Sequence, residues 1–461
     1  MTARVKKDFT AGPIFMPMMA FVLPIILTNI LQTFYAIADN IVVGKFSGDL
    51  LALAAVGSSG ALSALFSGIP LGLSAGAAVA ISQYFGAKDY EKVSRGVHTA
   101  VSFSLIFGIA LWAVAFIFTE DMLILMDTKP ELLDAACTYL HIVFAGLPAV
   151  SIYNFAASSL RAVGDSRTSL YILSLSGLLN VALNLLFVLG FGMSADGVAL
   201  ATAISQYASA IAVIAVLAVR RDTVYALHFK KLTISKPILA RMLRFGVPNS
   251  IQNSMFSISN VLLTTAVNTL DTYALSARTI AMNLTALLNN VASSYTNATL
   301  TFAAQNYGAR NAGRIKKTLF IGLLQSCVIT LFAGILCFMF IEPISDFYIA
   351  AEDAGRDAII GYTREVCIVT LPLYSICSIM NVLSGSLRGV GYSLYPMFIS
   401  IFGICGFRII WIYTAFNIPA LHSLWGLYLS YPISWLIVIL GLVVVLLSTW
   451  GRMKEKLRHR S

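Results

Sequence analysis

Twelve long apolar runs, separated by short polar intervals, occupy nearly the whole chain: approximately 14–44, 51–82, 94–119, 133–157, 168–190, 196–219, 242–268, 272–302, 316–341, 358–386, 393–415 and 423–449. A helix needs about 20 apolar residues to cross a bilayer. A transmembrane barrel would instead show short segments of alternating character. The pattern predicts an all-α polytopic membrane protein with twelve transmembrane helices.

The basic residues orient those helices. Connections that would lie on one side, both termini included, hold 25 Lys and Arg; the opposite connections hold 5, and Arg408 sits inside a span. One miscounted span would swap every later loop and destroy the asymmetry. The positive-inside rule therefore predicts cytoplasmic termini. The first apolar run is too long for a signal-peptide core and shows no small-residue cleavage site, so it reads as a retained helix.

The two halves resemble each other. "QYFGAKDYEKVSRG" from Gln83 answers "QNYGARNAGRIKKT" from Gln305, 222 residues later. "SLRAVGDS" from Ser159 answers "SLRGVGYS" from Ser386, and "LPAVSI" from Leu147 answers "LPLYSI" from Leu371, at offsets of 227 and 224. Pro24 and Asn29 answer Pro248 and Asn253, also 224 apart. Each half holds six spans, so both enter the membrane from the same face. That predicts parallel repeats related by a pseudo-two-fold axis along the membrane normal. The expected domains are a six-helix lobe at 1–219, a cytoplasmic linker at 220–241, and a second lobe with a basic tail at 242–461. The layout suits a secondary transporter; a merely larger scaffold is the plainer alternative.

Composition narrows the function classes. Only 11% of residues are charged and 58% are apolar, against about a quarter charged in a soluble domain. The net charge of +10 reads as loop bias rather than a nucleic-acid surface, because no basic run is interleaved with aromatics. The six cysteines form no C-x-x-C and the five histidines show no metal spacing. No H-E-x-x-H motif is present, and the one G-x-S-x-G match, Gly72–Gly76, falls inside an apolar run rather than at a strand-to-helix turn, which argues against an enzyme.

Several stretches together resemble the multidrug and toxic compound extrusion (MATE) transporters, over essentially the whole chain. They are "ADNIVVGKFSGDLLALAAVGSS" (Ala38–Ser59), "QYFGAKDYEKV" (Gln83–Val93), "SLRAVGDSRTSL" (Ser159–Leu170), "FGVPNSIQNS" and "AQNYGARN". The bacterial DinF-like branch is the most similar. The resemblance implies two six-helix lobes forming a V around a cavity. It implies efflux of organic, often cationic, compounds in exchange for sodium ions or protons, without a cofactor. It also implies a monomer in the bacterial inner membrane, with lipid as its surroundings. It places a cation site on Asp39, on Asn180 and Asn184 of helix 5, and on Thr202 and the Val198 carbonyl of helix 6. Some relatives carry acids on helices 7 and 10; here helix 7 has none and Glu365 lies near the start of span 10, so no second carboxylate site is expected. A lipid-linked sugar flippase is the alternative. It would favour a cationic cavity for pyrophosphate, and Lys and Arg are scarce inside the spans.

The residues themselves bear on that site. Asp39 is the sole acid of the first span. An intramembrane carboxylate costs a few kcal/mol and is usually functional. On a straight helix it lies about 37 Å from Ile14, so it is either enclosed by a bent or tilted helix or solvated at the outer interface. Asn180 and Asn184 share a helical face, either as ligands or as interhelical hydrogen-bonding groups. Val198 and Thr202 are likewise four apart. Such oxygens can hold sodium, or Asp39 can carry a proton. Pro24 and Pro248 predict kinks in helices 1 and 7. Asn249, Gln252, Asn253 and Asn283 on helices 7 and 8 either line a substrate path or make packing bonds. Arg408 has no partner identifiable from sequence.

Overall fold

The computed structural model describes residues 8–46, 50–126, 128–267, 270, 272–346, 348 and 355–458. A helix covers the core of each expected span. They are α1 Phe15–Phe46, α2 Leu50–Gly86, α3 Tyr90–Leu125, α4 Pro130–Ala145 continued as Leu147–Ala162, α5 Arg167–Leu185, and α6 Ala195–Val219. The second half adds α7 Lys236–Val267, α8 Thr272–Gly308, α9 Ala312–Met339, α10 Arg356–Thr370 continued as Tyr374–Gly389, α11 Leu394–Ser400 resumed at Phe407–Tyr413, and α12 Ser430–Arg458. Nine helices among the described residues are long and apolar enough to cross a membrane, ten if the two parts of α10, bent by 43°, count as one. The other two, α7 and α8, are 32 and 37 residues long. They fall short because Asn, Ser and Thr interrupt their apolar residues.

The duplication extends to individual turns. Lys88 and Arg310 both adopt φ +57°, a left-handed conformation that non-glycine residues rarely take. Each ends a helix the same way: Asp89 N–H donates to the Tyr84 carbonyl, and Asn311 N–H to the Asn306 carbonyl. Asp89 then caps α3 through Lys92 N–H, and Asn311 caps α9 through Arg314 N–H. Gly164 and Gly391 repeat the pattern after α4 and α10, with φ +87° and +98°. Close packing is duplicated too. A Cβ on Gly108 of α3 would lie 2.7 Å from Pro148 Cα, and one on Gly334 of α9 would lie 2.2 Å from the Leu371 carbonyl oxygen. In each half, therefore, a glycine receives the break in the fourth helix.

Packing divides the chain into two compact units, and the division falls within two helices rather than at the central connection. One unit is Leu23–Ser254 with the N-terminal residues through Ala11; the other is Gly12–Val22 with Met255–Ser461. The start of α1 thus packs in the second unit, where Gln325 donates to the Phe15 carbonyl at 2.7 Å and Phe21 meets Phe302 edge to face. The start of α7 packs in the first, where Asn249 donates to the Gly72 carbonyl and Ser250 to the Ile69 carbonyl. Each changeover lies next to or shortly after the in-helix proline, Pro24 or Pro248. The segment expected as a linker, 220–241, is itself folded onto the first unit. Tyr225 is 1% exposed in that unit's core with Val224 and Leu227, and His228 N–H donates to His98 Nε2. Its short "VYAL" run is the apolar signal.

Candidate functional site

Three helices of the first unit bring the predicted residues together. Asp39 lies in the last third of α1 and is half-buried. Asn180 and Asn184 stand one turn apart on α5, at 5% and 0% exposure. Thr202 is on α6, whose start is fixed by the Asp196 carboxylate accepting from Ser194 and Gly197 N–H. Asn184 Nδ2 donates to one oxygen of Asp39 and, at 3.4 Å, to Asn180 Oδ1. Asn180 Nδ2 donates to Thr202 Oγ1 at 3.3 Å, and Thr202 Oγ1 donates to the other Asp39 oxygen at 3.4 Å. The four side chains close a ring.

Asn184 Oδ1 is fully buried and has no hydrogen-bond partner. A buried amide oxygen without a donor is costly, and a hard cation or a proton beside it would relieve that cost. The donor set fits: a carboxylate, a hydroxyl and two amide oxygens are the all-oxygen ligands that hard cations prefer. Val198 is one turn before Thr202, buried with Val42, Val188 and Ala195 in an apolar cluster that Tyr139 also packs against.

The ring borders a cavity of about 230 Å³ whose one charged lining residue, among the described residues, is Asp39. Tyr35 holds α1 against α5: its hydroxyl donates to the Ser174 carbonyl at 3.3 Å. Its ring fills the notch left by Gly177, where a Cβ would lie 1.8 Å from a ring carbon. Gln32, Tyr35, Ser176, Ser205, Gln206 and Ser209 line the cavity and were not singled out from sequence. A signal was present. Polar side chains recur at Gln32, Tyr35 and Asp39, at Ser176, Asn180 and Asn184, and at Thr202, Ser205 and Ser209. That spacing is one stripe per helix.

The residues suggested as a substrate path do not gather at this cavity. Asn249 is 8% exposed and bonds the Gly72 carbonyl, so it is a packing residue. Gln252 is buried, and Asn253 and Asn283 are half-buried. A second cavity, in the second unit, is lined instead by Asn260, Asn289 and Asn381. Pro24 and Pro248 lie inside continuous helices, and Thr28 Oγ1 donates to the Pro24 carbonyl at 2.7 Å.

A family model described as MatE matches residues 24–186 and 248–414. The probable multidrug resistance protein YoeA of Bacillus subtilis (strain 168) is 29% identical, across 92% of this chain and 91% of its own length. The multidrug export protein MepA of Staphylococcus aureus (strain MSSA476) is 24% identical, across 83% of each. Among solved structures, an outward-facing multidrug resistance MATE family transporter of the MOP superfamily superposes with a TM-score of 0.85 at 23% identity, covering 98% of this chain and all of that one. A MATE structure in complex with MaD3S gives 0.86 at 21% identity, with the same coverage.

Proposed function

Because this chain belongs to the MatE family, and is a multi-pass membrane transporter rather than an enzyme, we propose that it exports drug-like organic compounds in exchange for sodium ions or protons. The coupling cation is held by Asp39, Asn180, Asn184 and Thr202, with the Val198 carbonyl one turn away. The observation that carries this reading is the closed ring of Asp39, Asn184, Asn180 and Thr202, in which the buried Asn184 Oδ1 is left unbonded. The names of YoeA and MepA support a multidrug cargo. Asp39, together with the lack of an acid on α7, supports a place in the DinF-like branch. The protein acts as a monomer in the bacterial inner membrane with cytoplasmic termini, as the loop charges support.

The ring suggests how occupancy changes the protein. Without a cation, amide and hydroxyl hydrogens face the carboxylate. A bound sodium ion would turn amide oxygens toward Asp39; a bound proton would convert one acceptor oxygen of Asp39 into a donor. Either change alters what joins α1 to α5 and α6, and the N–H that Pro24 lacks loosens the α1 backbone ladder so that the helix can respond. Efflux of a fluorescent organic cation from vesicles, with sodium and proton gradients imposed separately, tests the reading. One gradient should drive efflux by the wild type and neither should drive Asp39→Asn. Gradient-driven efflux by Asp39→Asn at the wild-type rate contradicts the role.

A further inference from the structure

The second unit holds a cavity of about 330 Å³ lined, among the described residues, by one charged side chain, Arg408. Its polarity is opposite to that of the Asp39 cavity in the first unit. Arg408 is 6% exposed, and its Nε is buried with no hydrogen-bond partner. Among the described residues no carboxylate pairs with it. Its guanidinium carbon lies 3.7 Å from the Tyr431 ring centroid. Immediately before it, α11 takes a π-helical turn at Ile401–Gly406. Such a turn shifts the register of the side chains that follow and often marks a functional site.

Aromatic rings share the cavity with the cation. Tyr431 stacks on Tyr428 at 5.0 Å and 13°, and meets Trp435 edge-on at 6.0 Å. Tyr374 also meets Trp435, at 5.2 Å. All four rings line the cavity, and the Asn260, Asn289 and Asn381 amides add polar groups. The volume is that of a small-molecule pocket. A planar fork of N–H donors beside flat rings matches a carboxylate carried on a planar aromatic body, because the guanidinium can bind both carboxylate oxygens at once. Stacking on Tyr431 alone would also account for a buried arginine, but it leaves the Nε donor unused.

We propose that this cavity is a binding site for aromatic carboxylates, with Arg408 as the anion-binding residue. The proposal concerns equilibrium binding and does not depend on ion coupling at Asp39, so its failure would leave the transport reading untouched. The test is calorimetry on the full-length protein in lipid nanodiscs, with 2-naphthoate and its neutral analogue 2-naphthamide as probes and empty nanodiscs as baseline. The wild type should bind 2-naphthoate at least about tenfold more tightly, as a charge-assisted hydrogen bond requires. Arg408→Gln should erase that preference, and Arg408→Lys should keep part of it, retaining charge without the fork. Equal binding of the two probes by the wild type, a comparison that needs no variant to fold, overturns the proposal. Unchanged preference in Arg408→Gln overturns it as well. Bound naphthoate should quench tryptophan emission through Trp435. Equal quenching in Trp435→Phe would put the probe elsewhere and reject the site.

Discussion

Asn184 is the residue on which the Asp39 ring turns, since its one amide nitrogen serves both the carboxylate and Asn180 while its oxygen goes unbonded. Asn180 reaches Asp39 only through Asn184 or Thr202. Unequal effects follow. Asn184→Ala should lower gradient-driven efflux at least about tenfold, the loss of one hydrogen bond to a charged group, and Asn180→Ala should lower it less; equal losses in the vesicle assay would argue against the ring. Gly177 is a positioning residue. Gly177→Ala drives a methyl into the Tyr35 ring and should destabilise the protein by about 1–3 kcal/mol, read as a lower thermal midpoint. Gly177→Ala with Tyr35→Ala should recover much of that loss; no recovery would mean that α1 is held against α5 by other contacts. The polar residues of this site were readable from sequence because amides and a carboxylate are conspicuous among apolar neighbours. Gly177 was not readable, because its role lies in what it omits, and only the ring packed against it reveals that.

At the scale of elements, the repeated helix ends carry the most direct predictions. Asp89 and Asn311 cap α3 and α9 through equivalent bonds, so Asp89→Ala and Asn311→Ala should each cost about 1 kcal/mol in denaturation experiments. The start of α5 is tied to the end of α6 by a different device. Asp165 pairs with Arg220 at 2.6 Å and accepts from Thr168 Oγ1 at 2.8 Å. Burial opposes the charged form of Asp165, but the bonds from Thr168 and Arg220 prevail and hold its carboxyl below the usual range. A depressed folded value stabilises the protein fully above the ordinary carboxylate pKa, about 3.9. That contribution fades as pH falls through the lower folded value. Thermal midpoints should therefore drop in strong acid for the wild type, with a smaller drop for Asp165→Asn. Helix positions were legible from apolar runs and turn chemistry. Which unit each half of α1 and α7 joins was not, because hydropathy records that a residue is buried and not which neighbour buries it.

At the scale of the whole molecule, the loop charges make a prediction independent of the site. In a background lacking the six native cysteines, Lys129→Cys should react with a membrane-impermeant thiol reagent applied to intact cells, and Lys88→Cys only after permeabilisation. The reverse result would invert the topology. The duplicated halves also explain why one fold presents two cavities of opposite charge: an inherited frame, repeated down to the φ angles of Lys88 and Arg310, carries different side chains in each copy. Repetition of the frame was visible in the sequence, but the contrast between cavities was not, since the Tyr and Trp rings that share the cavity with Arg408 come from three separate segments, α10, the short helix Leu424–Tyr428 and α12. The central claim is that a cation at Asp39 and the exported compound weaken each other's binding, as linkage requires of an exchanger. Fluorescence of a bound organic cation, followed in nanodiscs during stepwise addition of sodium or acid at constant ionic strength, measures this directly. The wild type should release the compound as one of the two cations rises, and Asp39→Asn should hold it throughout; release from Asp39→Asn at the wild-type concentration would contradict the account.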